Sequence, residues 1–341
     1  MRNKRLLISL LTCMVAGSVL LQCIRCTPIS KTELNRHITL VSYNAQTFFD
    51  AVEDGSEFKE FKGSKSQWTE RKYRIRLERL KQTMFAAGKK LTGKENRLPD
   101  IAVLQEIENS RVVEDFCKQL SNRENYPYAV CPSRSGKDAF TTVLLSKYPI
   151  ENFFVHYIYA DGKTALRPLV EAIINTGSKD KPLLLTVFAV HWKSKSGQSD
   201  STAIRNLQEA QLIKKIREHK LKNPEIPFIV CGDFNQPLEE FGQMGDFTVC
   251  WNLSSYKAET DEGTQPAGSY YFKGAWEKID HIFYDAGMKT ACIEPTAFFV
   301  LYEPPLIDGD KPVRYNVFTG EGYSDHLPLG FCFKIQASSR N

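Results

Sequence analysis

The segment FIVCGDFNQP, residues 228–237, decides the fold of this chain. Its first four residues are apolar and predict a buried strand, because a short apolar run bounded by a glycine is typical of one. Gly232 ends the run, and Asp233 and Asn235 follow it directly. A carboxylate and an amide at a strand end form either a capped turn or part of an active site, and the segment alone allows both.

Five other apolar runs also carry polar residues of the same few types. The runs are HITLVSYN, DIAVLQE, LLLTVFAVH, EKIDHIFY and LPLGFCFKI. The polar residues at, inside or just before them are, in the same order, Asn44, Glu106, His191, Asp280 with His281, and Asp325 with His326. One such residue is usually structural, but a set that accompanies nearly every major run favours a common site where the strands end.

Helical periodicity separates two pairs of these strands. The segment WTERKYRIRLERLKQTM predicts a helix, with Thr69 as its N-cap and Trp68 packed on Tyr73. NSRVVEDFCKQL predicts a second helix. STAIRNLQEAQLIKKI predicts a third, whose buried face would hold Ala203, Leu207, Ala210 and Ile213. Strand–helix–strand therefore occurs twice, which predicts two similar α/β halves packed sheet on sheet with their helices outside.

Length and composition predict one large globular domain. The chain has 341 residues, 42% hydrophobic and 25% charged, and no linker is evident after residue 37. We assign the domain to 37–336, with a tail at 337–341. The net charge of +5 is unevenly distributed: residues 59–97 hold 13 Lys/Arg against 4 Asp/Glu, and 193–222 hold 8 against 3. These segments are either solvated faces or surfaces for an anionic partner.

The N-terminus has the pattern of a targeting segment. A charged start precedes an uninterrupted apolar run and the sequence LLQC, so residues 1–22 are interpreted as a signal peptide of lipoprotein type. Cys23 would then carry lipid, and residues 23–36 would form a tether. Simple cleavage and an uncleaved anchor are the alternatives. We therefore expect an exported protein, either a cell-envelope lipoprotein or a secreted one.

The polar set suits a particular chemistry. Hard oxygen ligands hold Mg²⁺, which screens phosphate charge, while His and Asp groups position water and protons. The motifs VSYNAQTF, DIAVLQEIEN, TALRPLVEAII, VFAVHWKSKSG, IVCGDFNQ, KIDHIFY and YSDHLPL, in this order, resemble the endonuclease/exonuclease/phosphatase superfamily, also called deoxyribonuclease I-like. The resemblance implies a four-layer α/β sandwich of two packed mixed β-sheets flanked by helices.

The resemblance also implies roles for individual residues. The metal ligands would be Asn44, Glu106 and Asp325, with Mg²⁺ as the cofactor and Mn²⁺ as a substitute. Asp233 and Asn235 would orient the attacking water and a phosphate oxygen. His191 and His326 would bind or protonate the phosphate, and Asp280 would hold His326 in its working tautomer.

Four further residues are candidates around this set. Arg167 resembles a family arginine near the phosphate, and a structural ion pair is the alternative. Lys193 and Lys195 belong to HWKSKSG, which is similar to a stretch in bacterial extracellular nucleases, and solvent exposure is the alternative. Asp138 is a candidate acidic partner for His191. We interpret His281 as structural.

The resulting expectation is an exported, monomeric, Mg²⁺-dependent phosphodiesterase, a nuclease acting on DNA or RNA. The segments GDFNQ and KIDHIF disfavour the inositol-phosphatase branch. A sphingomyelinase or another phosphoester hydrolase of the same fold stays open, because AFFVLYEPPL (297–306) is strongly apolar. The alternative from another class is a surface lipoprotein that binds a ligand without catalysis.

Overall fold

A computed structural model describes residues 37–134, 138–195, 201–253, 265–285 and 291–337. The predicted signal peptide and tether, including Cys23, lie outside these ranges. None of the helices within them is long and apolar enough to span a bilayer.

The first sheet has six strands. With strands numbered in chain order, its spatial order is β13 (Ala291–Val300), β16 (Leu329–Ala337), β1 (His37–Phe48), β2 (Ile101–Ile107), β4 (Thr141–Ser146) and β3 (Tyr128–Val130). β1 and β2 are parallel, and Asn44 lies beside Gln105 in their register. The other neighbours are antiparallel. Asn44 and Glu106 therefore lie at the same edge of this sheet.

The second sheet also has six strands. Their order is β5 (Ile150–His156), β6 (Leu169–Asn175), β7 (Leu184–His191), β8 (Phe228–Asp233), β12 (Asp280–Tyr284) and β9 (Thr248–Val249). β7 and β8 are parallel with His191 beside Asp233, and β12 runs antiparallel with Asp280 opposite Asp233. Three candidate site residues are thus fixed in one row across three strands.

Short elements complete the described chain. Two small hairpins are formed by β10 (Tyr270–Phe272) with β11 (Ala275–Glu277) and by β14 (Ile307–Asp308) with β15 (Lys311–Pro312). Single 3₁₀ turns occur at Leu238–Glu240, Met244–Asp246 and Cys250–Asn252.

The two sheets pack face to face, and three helices cover their outer sides. α1 (Glu70–Thr92) and α2 (Ser110–Lys118) pack together over the first sheet, where α1 contacts β1 and β16. α3 (Ser201–Lys222) covers the second sheet, where its His219 packs against the rings of Phe188 and Phe228. This arrangement confirms the predicted four-layer α/β sandwich.

The start of α1 matches its sequence signals. The Thr69 side chain accepts a hydrogen bond from the Lys72 N–H, and the rings of Trp68 and Tyr73 meet edge to face. Gly93, with φ of 67°, ends the helix. Such a left-handed C-terminal position is one that glycine adopts without strain.

The buried face of α3 agrees only in part with the predicted one. Ile213 is buried and Leu207 packs partly buried against the core, but Ala203 is exposed, and polar side chains are buried as well. Arg205 contacts Gln236, Gln208 accepts from the Lys193 N–H, and Glu209 accepts from two backbone N–H groups. Each buried polar group has a hydrogen-bond partner, so its burial is tolerated. The helix thereby anchors the loops that follow β7 and β8.

A buried carboxylate joins β5, β6 and α3. Glu171 on β6 lies 2.7 Å from His156 Nε2 and 3.6 Å from His219 Nδ1. Burial opposes the charged form, but the hydrogen bonds and charges of the two histidines prevail and lower the pKa of Glu171 to about 2. None of the three elements that carry this cluster holds a predicted metal ligand.

Candidate active site

The candidate residues meet at one edge of the two packed sheets. The first sheet contributes Asn44 and Glu106, and the second contributes His191, Asp233 and Asp280. Asn235 follows β8, and the segment 324–326 precedes β16. The polar residues therefore converge at one edge of the two sheets, as predicted.

Four residues at this edge have strained backbone. Gln46, Thr47, Glu106 and Asn235 have φ values of 49°, 46°, 60° and 52°. Positive φ is unfavourable for residues with a side chain, and such strain concentrates at functional sites where surrounding contacts hold it. At Glu106 the constraint is visible, because its Oε2 accepts the Thr47 N–H at 2.5 Å.

Asn44 links two carboxylates. Its Nδ2 donates to Glu106 Oε1 at 3.3 Å and to Asp233 Oδ2 at 3.0 Å. The Gln46 N–H lies 2.9 Å from Asn44 Oδ1 and can only donate, which fixes the amide orientation. Asn44 is therefore a donor between the two acids here, and its predicted role as a metal ligand would require the amide to turn.

Asp325 and Glu106 form the acidic side of the site. Burial raises the pKa of Asp325; the charge of His326 opposes this and that of Glu106 adds to it. The exposed Arg314 side chain has its Nε 3.6 Å from the Asp325 carboxylate. Two neighbouring carboxylates present the hard oxygen donors that Mg²⁺ prefers, so this donor set fits a divalent cation.

His326 and Asp280 form a dyad. The Nδ1 of His326 lies 2.8 Å from Asp280 Oδ2, and Ser269 Oγ donates to the same oxygen at 2.6 Å. Burial alone would lower the pKa of His326, but the Asp280 carboxylate outweighs it and raises that pKa. The imidazole is therefore held protonated, with Nδ1 occupied and Nε2 facing the site.

Asp233 lies between the two histidines. Its Oδ2 is 3.5 Å from His191 Nε2 and 3.9 Å from His326 Nε2. Burial raises its pKa, and the nearby charge of Asp280 adds to the effect. Its Oδ1 accepts the Asn235 N–H, while the Asn235 amide donates to the Trp192 carbonyl. A carboxylate of raised pKa, fixed in orientation, suits proton transfer from water.

His191 is neutral and contacts Arg167. Burial lowers the pKa of His191, and the charges of Arg167 and His326 lower it further. Arg167 donates to His191 Nε2 at 2.8 Å and to the Trp192 carbonyl. His191 Nδ1 is buried without a hydrogen-bond partner in the described ranges. Within those ranges the candidate partner Asp138 makes no hydrogen bond to His191. Burial raises the pKa of Asp138, and the positive charges of Arg167 and Lys193 oppose this.

The two candidate lysines differ in surroundings. Lys193 is exposed and lines a cleft of about 840 Å³ with Arg167. Lys195 lies 3.5 Å from Glu240 and 3.7 Å from Glu277, so its charge is partly neutralised. Lys193 is therefore the stronger candidate for contact with an anionic substrate.

Other buried groups complete the site. His281, interpreted as structural, donates through Nε2 to the Gln236 carbonyl and is fully buried. Ser269 was not identified from the sequence, because it belongs to none of the apolar runs. Arg76 of α1 is also buried. It lies three residues after Tyr73, a spacing that puts the two side chains on the same face of the helix.

Comparison with known proteins identifies the family to which the chain is similar. The model of the Endonuclease/Exonuclease/phosphatase family matches residues 69–326. No curated protein matches the chain in sequence. A truncated TDP2 of Caenorhabditis elegans shares 18% identity with a TM-score of 0.54, over 89% of this chain and 100% of that one.

Two further solved structures have the same fold. A Bacteroides thetaiotaomicron endonuclease/exonuclease/phosphatase family protein shares 15% identity, with a TM-score of 0.56 over 88% of this chain and 95% of that one. D. rerio TDP2 in complex with a single-strand DNA product shares 16%, with a TM-score of 0.55 over 87% and 99%. Because the family model spans most of the described domain, the chain belongs to the endonuclease/exonuclease/phosphatase family.

Proposed function

We propose that the protein is a Mg²⁺-dependent phosphodiesterase that cleaves nucleic acid. The observation that carries the proposal is the position of Asp233. Its Oδ2 lies 3.0 Å from Asn44, 3.5 Å from His191 and 3.9 Å from His326. One buried carboxylate thus lies close to an amide from the first sheet and to both imidazoles.

The side chains divide the chemistry among them. Mg²⁺ held by Glu106 and Asp325 would supply charge screening for the phosphate. Asp233 accepts the proton of the attacking water, which its raised pKa favours. His326, held protonated by Asp280, donates Nε2–H to a phosphate oxygen. Water attacks phosphorus in line, the sugar 3′ oxygen departs, and a 5′-phosphate remains.

Nucleic acid is the proposed substrate class. The cleft beside the catalytic residues is lined by Arg167 and Lys193, which suit phosphates flanking the scissile one. The D. rerio TDP2 structure, of the same fold, holds a single-strand DNA product. We further propose export of the protein, an anchor at Cys23 and a monomeric state.

A substrate panel tests the activity. Purified protein with Mg²⁺ is incubated with plasmid DNA, RNA and sphingomyelin, alongside Glu106→Gln. The variant should fold normally yet lose most activity, because the amide keeps the shape but removes the charge that a cation needs. Cleavage of sphingomyelin alone would show that the substrate is a lipid and not nucleic acid. Activity in excess chelator would overturn the proposed metal dependence, and inactivity on all three substrates would favour a binding protein.

A further inference from the structure

The strained turn after β1 is held by one buried arginine of α1. Arg76 is 2% exposed. Its Nη2 donates to the carbonyls of Ala45 and Gln46, and its Nη1 donates to the carbonyl of Thr47 at 2.8 Å. Three consecutive carbonyls are therefore bound by one guanidinium.

Two aromatic rings hold the guanidinium in place. Its central carbon lies 4.4 Å from the ring centroid of Phe48 and 3.9 Å from that of Tyr315. A planar guanidinium can stack between rings while its edge donates several hydrogen bonds. A lysine ammonium is a point charge and cannot reproduce both contacts. The turn thus has a clamp specific for arginine.

The clamped turn contacts both acidic groups of the site. The N–H of Thr47, whose carbonyl Arg76 binds, donates to Glu106 Oε2 at 2.5 Å. The side chain of Gln46 accepts the N–H groups of Asp325 and Tyr315, both at 3.0 Å. Gln46 and Thr47 both have positive φ, a conformation that relaxes unless neighbouring contacts enforce it.

We propose that Arg76 is a positioning residue for the divalent-cation site: by binding the carbonyls of residues 45–47 it fixes the turn that orients Glu106 and Asp325. The hydrogen bonds of Arg76 go to the backbone of the turn, and its charge also acts on Glu106, a charge that Arg76→Lys keeps. The inference rests on the proposed function, since it concerns the cation that Glu106 and Asp325 would hold. Loss of the clamp should weaken cation binding about 10- to 100-fold, as is typical when a group that orients metal ligands is removed.

The test measures Mn²⁺ binding directly, without turnover. Full-length wild type, Arg76→Lys, Arg76→Met and Glu106→Gln are titrated with Mn²⁺, and free Mn²⁺ is followed by electron paramagnetic resonance. Thermal melting is recorded for each. We expect both Arg76 variants to bind Mn²⁺ at least tenfold more weakly at temperatures where they are fully folded.

Arg97→Lys is the matched control. Arg97 lies near the other end of β2 and binds Glu124 and Asp100, so this change disturbs an arginine network without touching the turn. It should leave Mn²⁺ affinity within twofold of wild type even where it lowers the melting temperature.

A second variant covers failure of the Arg76 variants to fold. Gln46→Asn shortens the side chain that holds the Asp325 N–H, while asparagine tolerates positive φ. It should also weaken Mn²⁺ binding. Wild-type affinity in folded Arg76→Lys, or in Gln46→Asn if that variant alone folds, would overturn the inference and leave the proposed function standing. Absence of Mn²⁺ binding in wild type would overturn both.

Discussion

Removing the charge of Asp280 should impair catalysis through His326 alone. Asp280→Asn keeps an oxygen in place, and that oxygen can still accept from Ser269 Oγ and from His326 Nδ1. The substitution removes the negative charge of the group that accepts the buried 2.8 Å hydrogen bond from His326. A hydrogen bond to a charged group contributes about 1.5–3 kcal/mol, which corresponds to a rate change of about 10- to 100-fold.

The assay is a double-mutant cycle on kcat. Wild type, Asp280→Asn, His326→Ala and the double variant are compared on a fluorescent oligonucleotide with saturating Mg²⁺. His326→Ala should lower kcat by at least ~10²-fold, as expected for a lost acid/base group. The double variant should be little slower than His326→Ala, because Asp280 has then no imidazole to orient. Multiplicative losses would refute the reasoning and give Asp280 a separate role.

Three further predictions concern stability, substrate and location. Folding lowers the pKa of Glu171 from 4.5 to about 2, so this carboxylate stabilises the fold above pH 4.5 and loses its contribution as pH falls through 2. In urea unfolding at pH 6, Glu171→Gln should therefore be less stable than wild type by up to roughly 3 kcal/mol. A difference in unfolding free energy that does not narrow towards pH 2.5 would contradict the assignment. Binding to duplex DNA should weaken with salt, and the logarithm of the binding constant should fall against the logarithm of salt concentration with a slope of roughly −0.9 per phosphate contact. Lys193→Ala should flatten that slope more than Lys195→Ala, because Lys195 is paired with acidic side chains. Equal effects of the two substitutions would show that this pairing does not matter for binding. Cys23→Ser should move the protein from membrane to soluble fractions, whereas mass spectrometry showing an unmodified N-terminus elsewhere would decide for simple secretion.

The fold was predictable where local pattern and global packing agree. Apolar runs gave the main strands, and the helical period of Tyr73, Leu77 and Leu80 gave α1. The same rule gave only part of the buried face of α3, because it assumes that only apolar residues are buried. Arg205, Gln208 and Glu209 are buried through hydrogen bonds to loops distant in sequence, which periodicity cannot anticipate.

The site was predictable at strand ends and less so elsewhere. Asp233 and Glu106 follow apolar runs, and their neighbourhood follows from parallel pairing within each sheet. The contact of Ser269 with Asp280 depends on a loop outside those runs. The amide orientation of Asn44 depends on the Gln46 N–H and hence on a backbone conformation that only the three-dimensional structure reveals.

The pairing of β1 with β16 has a consequence for biosynthesis. The first described strand completes its sheet only with the last one, and Asp325 and His326 lie just before that last strand. A ribosome that has made the first three hundred residues has therefore produced Asn44, Glu106, His191, Asp233 and Asp280 without a working centre. Under the proposed function, the growing chain is therefore unable to cleave nucleic acid until synthesis is nearly finished. Chains truncated before residue 324 should accordingly be inert towards nucleic acid, and cleavage by such a chain would show that the final segment is dispensable.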